Sequence, residues 1–70
     1  MCTSIILFRK KHKWPLILAS NRDEFFTRKS RTPARHWANQ PYIIGGLDKF
    51  KGGTWCSVND SGIISCIHNR

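Results

Sequence analysis

Cys2 and the polar run Asn21-Arg22-Asp23-Glu24 hold the residue types that could do chemistry here. Methionine before a small residue is commonly removed in cells, and removal of Met1 would leave Cys2 with a free α-amine beside its own thiol. Such an amine titrates near ~8, close enough to neutral to accept the thiol proton. One residue would then be both nucleophile and base, a known solution to amide cleavage. It would still need an orienting partner, and Asp23 or Asn21 can supply one. The plainer alternative is a buried cysteine next to a salt-bridged Arg22-Asp23 pair at a strand end.

Two strands must bring these groups together. Thr3–Phe8 reads as the first, with adjacent isoleucines and an aromatic. Leu16–Ser20 reads as the second, entered through Trp14-Pro15, where a proline is tolerated. The basic segment Arg9–Lys13 between them is a solvated loop. With Phe8 opposite Pro15 in a hairpin, Cys2 lies opposite Asn21; a register shifted by one sets it against Arg22. Directly opposed residues share a face, so either register places the thiol beside the polar cluster. Both runs are almost continuously apolar, which predicts burial on both faces.

Residues 25–42 read as an irregular loop, rich in Arg28, Lys29, Arg31 and Arg35, with Phe25, Phe26, Trp37 and Tyr42 as anchors. Ile43–Gly46 reads as a short strand. Gly45-Gly46 and Gly52-Gly53 match no phosphate loop, so they serve positive φ or close backbone approach. Thr54–Val58 and Ile63–Ile67 form the clearest hairpin, turned by Asn59-Asp60-Ser61-Gly62. Pairing Asn59 with Ile63 sets Cys56 opposite Cys66, as packed thiols or as a disulfide. His12, His36 and His68 lack ligand spacing, so no metal and no cofactor is expected.

Seventy residues allow at most one small domain, and a chain this short buries only ~60% of its unfolded surface. It shows no amphipathic helix to cover a sheet, so residues 1–70 read as an incomplete single domain that needs further chain or a partner. Twelve Lys and Arg against four acids permit nucleic-acid attraction. The basic residues sit in loops, however, and no specific nucleic-acid partner is expected. No run is long enough to span a membrane, no signal peptide is visible, and the odd cysteine count fits a reduced, cytoplasmic setting.

Asn21-Arg22-Asp23-Glu24-Phe25 resembles the signature of the NRDE family, also called the transport and Golgi organisation protein 2 family. The rest of the opening pattern is similar too: Met1-Cys2, Leu16-Ile17-Leu18-Ala19, then Arg28, Pro33 and Trp37, Gly46-Leu47-Asp48, Gly52-Gly53-Thr54-Trp55 and Gly62. The resemblance spans essentially the whole chain. Departures are Lys29 where the family usually has proline, Leu47 where it has arginine, and His68 where it tends to have threonine. Family members continue well beyond this length, so the likeness is to their N-terminal portion.

The resemblance implies kinship with N-terminal nucleophile hydrolases, including the choloylglycine hydrolases, which also begin Met-Cys-Thr. It implies an α+β fold: the N-terminal β-hairpins of a four-layer αββα sandwich, mostly β in this stretch. By the same likeness Cys2 attacks an amide carbonyl, with Asp23 and Arg22 serving the site. Asn21, Glu24 and Trp55 are assigned to substrate. Three functional classes follow. The first is a cysteine hydrolase of C–N amide bonds, inactive as this short chain alone. The second is a non-catalytic protein handling a small molecule such as haem or a lipid, with Cys2, His12 or His68 as ligand. The third is a basic nucleic-acid binder, which leaves the family motifs unexplained. A split or decayed reading frame cuts across all three.

Overall fold

The computed structural model describes residues 2–68, and all of its regular structure is strand. The strands are β1 (Thr3–Phe8), β2 (Leu16–Asn21), β3 (Ser30–Ala34), β4 (Ile43–Asp48), β5 (Cys56–Asn59) and β6 (Ile64–Cys66). β1 and β2 form a two-stranded antiparallel sheet, and β3-β4-β5-β6 form a four-stranded meander. The mostly-β expectation holds for these residues. The removal of Met1 falls on a residue outside those described.

The first hairpin takes the second of the two registers. Phe8 pairs with Leu16 and Thr3 with Asn21, which aligns Cys2 with Arg22 rather than Asn21. Pro15 is accommodated in this register. Its carbonyl accepts from Arg9 N–H at 2.8 Å, and the Arg9 carbonyl, which a proline cannot serve, accepts from His12 N–H at 3.0 Å. The missing donor thus falls at the end of the ladder, where the loop replaces it. At the open end Asn21 Oδ1 accepts from Thr3 N–H at 2.7 Å, extending β2 one residue past its expected limit.

Residues 25–42 are not wholly irregular, because β3 runs through them and pairs with β4. The ladder breaks between Arg31 and Ala34, and Pro33 sits in that break. A proline is tolerated at a bulge of an edge strand, and β3 is an edge. Of the aromatics expected to anchor this segment, Trp37 does so, its indole N–H donating to Gly52 O at 2.8 Å. Phe25 and Phe26 are exposed instead.

The β5–β6 hairpin has the expected register, Cys56 opposite Cys66. Asn59 N–H donates to Ile63 O, Gly62 N–H donates to Asn59 O, and Gly62 adopts φ +86°. Asn59 Oδ1 also accepts from Ser61 and Ile63 N–H, so the turn is held by one side chain. β4 runs two residues beyond its expected end and delivers Asp48.

No apolar side chain among the described residues is buried; the buried positions are Gly45, Gly46 and Asp48. Ile5 and Ile6 are 67% and 64% exposed, although they alternate in facing. The hairpin's predicted burial on both faces is therefore not met within these residues. The molecule is a slab of 41 × 31 × 17 Å.

Candidate functional site

The site is built around Asp48, the last residue of β4. It lies in a turn closed by Asp48 N–H to Gly53 O at 2.8 Å and Gly52 N–H to Asp48 O at 2.7 Å, with Gly52 at φ +83°. The turn aims the carboxylate at two arginines. Arg28 donates from Nη2 to Oδ2 at 2.7 Å and from Nε to both oxygens at 3.3 Å. Phe50 N–H adds a bond to Oδ1 at 3.1 Å. Arg22 Nη2 lies 3.5 Å from the same oxygen. The bonds from Arg28, helped by Phe50 N–H, hold the Asp48 carboxyl below its ordinary 3.8 against the opposing effect of desolvation.

Arg22 joins the two sheets. It follows β2 directly, and its guanidinium stacks over the Trp55 ring at 4.4 Å from the centroid while one nitrogen reaches Asp48. Trp55 in turn lies against Gly46. A Cβ at Gly46 would overlap the benzo edge of the indole, so close approach is what this glycine provides. Glu24 completes the cluster with an oxygen 3.9 Å from Arg28.

Cys2 sits at the lip of this cluster. Asp23 N–H lies 3.4 Å from Cys2 Sγ, and the thiol in turn approaches Asp23 O at 4.0 Å. Two residues on, Ser4 Oγ donates to Ser20 Oγ at 3.2 Å and shares a 2.6 Å hydrogen bond with His68 Nε2. That bond ties the end of the second sheet to the first.

The Cys2 thiol, the Arg22–Asp48–Arg28 cluster and Trp55 line one open cleft of about 320 Å³. Of the six residues expected at the site, Cys2, Arg22, Glu24 and Trp55 line it. Asp23 meets the thiol through its backbone. Asn21 lies to the side, bonded to the start of β1. The cleft also contains Arg28, Asp48 and Lys51, which sequence reasoning gave no role at the site. Asp48 carried a signal: an isolated acid after an apolar, glycine-containing strand, in a chain with a large excess of base. Of the suggested ligand histidines, His68 lines the cleft, whereas His12 sits at the far end of the first hairpin, bonded to Trp14 N–H. Among the described residues no three His, Cys, Asp or Glu side chains are grouped to hold a metal ion. No helix of the described residues is long and apolar enough to cross a membrane.

Comparison with known proteins follows the same residues. The human Transport and Golgi organization protein 2 homolog is 40% identical over 62 residues, covering 84% of this chain and 22% of that protein. The Drosophila Transport and Golgi organization protein 2 is 47% identical over 51 residues, covering 69% of this chain and 18% of that protein. The chain thus spans about a fifth of the length of these curated relatives. No solved structure matches it. The sequence profile described as Transport and Golgi organisation 2 matches residues 1–70, and the chain belongs to that family.

Proposed function

We propose that the Cys2 cleft is the reacting centre of a cysteine N-terminal nucleophile hydrolase that cleaves C–N amide bonds, active at the protein's full natural length. The observation that carries this reading is the placing of the Cys2 thiol against Asp23 N–H, at the mouth of a cleft with cationic walls. With Met1 removed, the α-amine of Cys2 takes the thiol proton. The sulfur attacks the amide carbonyl, and the tetrahedral adduct collapses with loss of the amine, which leaves carrying that proton. Water then hydrolyses the thioester and restores the thiol. Arg22 and Lys51 favour negative charge in the cleft, where the tetrahedral oxyanion develops. Trp55 offers an apolar face to the acyl part.

The two sheets would be the inner strands of an αββα sandwich, with helices contributed by further chain. The exposure of Ile5 and Ile6 on opposite faces of the first hairpin supports this. A full-length structure with those faces open to solvent would overturn it.

The test is Cys2→Ala in the full-length protein against a panel of N-acyl amides, followed by mass spectrometry of the protein. Turnover and a covalent acyl adduct should both vanish; unchanged turnover refutes the mechanism. His68 beside Cys2 in one cleft favours a second reading, a non-catalytic carrier of a small molecule such as haem. Binding without turnover, detected as a Soret shift lost on Cys2→Ala, would select it.

A further inference from the structure

The structure assigns Cys56 and Cys66 as an oxidative modification site: a thiol pair that closes to a cross-strand disulfide when a hydroperoxide reaches it. The two residues are direct partners in the β5–β6 ladder, and Cys66 Sγ lies 3.2 Å from Cys56 Sγ. Both are free thiols. The type of pairing matters more than the distance. Asn59 N–H bonds to Ile63 O, and Ile67 N–H bonds to Trp55 O, so those two opposed pairs are the hydrogen-bonded ones. Hydrogen-bonded and non-hydrogen-bonded pairs alternate along an antiparallel ladder, which makes Cys56–Cys66 a non-hydrogen-bonded pair. The Cys56 backbone agrees: its N–H and C=O both bond to the Thr54 hydroxyl rather than to β6. Opposed Cα atoms in such a pair lie about 4.5 Å apart, inside the range of roughly 4.4–6.8 Å that a disulfide spans. The bond can therefore form without moving the backbone.

The two thiols differ in access. Cys66 is exposed and Cys56 is half-buried. Burial, together with the neighbouring thiol, pushes Cys56 up to about 11, so the exposed Cys66 is the first to meet the peroxide. Cys66 thiol and hydroperoxide give a sulfenic acid and one water (or alcohol). The Cys56 sulfur then attacks the sulfenic sulfur. The S–O bond breaks, the oxygen leaves as water with the Cys56 proton, and the S–S bond forms. Two thiols are oxidised, and the peroxide O–O bond is reduced.

The bond would lock the strands that carry one wall of the cleft. Trp55 and Ile67, the pair next to the cysteines, both line it. The site does not depend on what Cys2 does.

The test uses the unaltered full-length protein, treated with hydrogen peroxide, alkylated and digested with trypsin. Cys56 and Cys66 fall in one tryptic peptide, residues 52–70, while Cys2 falls in another that ends at Arg9. After oxidation, peptide 52–70 should carry no alkyl group and should weigh two hydrogens less than the reduced form. Dithiothreitol should return it to double alkylation. Amide exchange at Ile67 should slow in the oxidised form. Double alkylation persisting at peroxide levels that consume Cys2 would overturn the assignment. So would sulfinic or sulfonic acid, or an adduct with an external thiol, in place of the internal bond.

Discussion

Gly46→Ala tests whether the contact between β4 and Trp55 holds the cleft together. The new Cβ would lie 2.5 Å from Trp55 Cζ2 and 3.1 Å from Cζ3. Carbon atoms pack comfortably at about 3.5–4.0 Å, so the indole must retreat by about 1 Å. It cannot do so without disturbing Arg22, which is stacked on the ring at 4.4 Å and paired with Asp48. Overpacking of this kind costs ~1–3 kcal/mol. Against it stands the backbone gain of replacing glycine within a strand, ~0.5–1 kcal/mol. The clash outweighs the gain, and a net loss of ~0–2.5 kcal/mol is expected. Urea unfolding of the full-length protein, followed by fluorescence, should show a lower midpoint at unchanged slope. The decisive arm repeats the substitution in a Trp55→Leu background. With the indole gone only the backbone gain remains, so Gly46→Ala should become neutral or stabilising. An equal cost in both backgrounds would refute the packing argument.

Other predictions follow from the same cluster. Because Arg28 holds Asp48 below its ordinary 3.8, the pair's stability contribution is fully present above that pH and is lost as pH falls through the lower folded value. Asp48→Asn should remove that acid-side loss, so the difference in melting temperature between wild type and variant should shrink as pH drops below the carboxylate range. Arg22→Lys keeps the charge but loses the planar stack on Trp55. It should cost ~0.5–1 kcal/mol and shift the tryptophan emission, which titration in urea would detect. Gly62→Ala forces a Cβ into φ +86°, which should cost ~1–2 kcal/mol and speed amide exchange at Asn59 and Ile63.

What was legible in the sequence was what is local. The Asn59–Gly62 turn specifies its own geometry, because one asparagine side chain and one left-handed glycine suffice to set the register, and Cys56 then meets Cys66 by counting. The first hairpin was legible in its strands but not in its register. Pro15 fits that register with its absent N–H at the ladder's end, a fit that shows only when each backbone donor and acceptor is followed to its partner. β3 was hidden for the opposite reason. An edge strand of charged and small residues needs no apolar alternation, and Pro33 removes the usual signature while the bulge removes the penalty. Asp48 was missed because its meaning is not local. Its hydrogen-bond partner Arg28 lies twenty positions away in the chain, and Arg22 reaches it from the other sheet. Periodicity cannot report such a meeting, whereas charge can. In a chain with twelve basic residues and four acids, a carboxylate withdrawn from water at a strand end must draw in a cation or take up a proton. Arg22 therefore acts first as the clasp between sheets, and any role it has toward substrate is exercised from a position that Asp48 and Trp55 already hold.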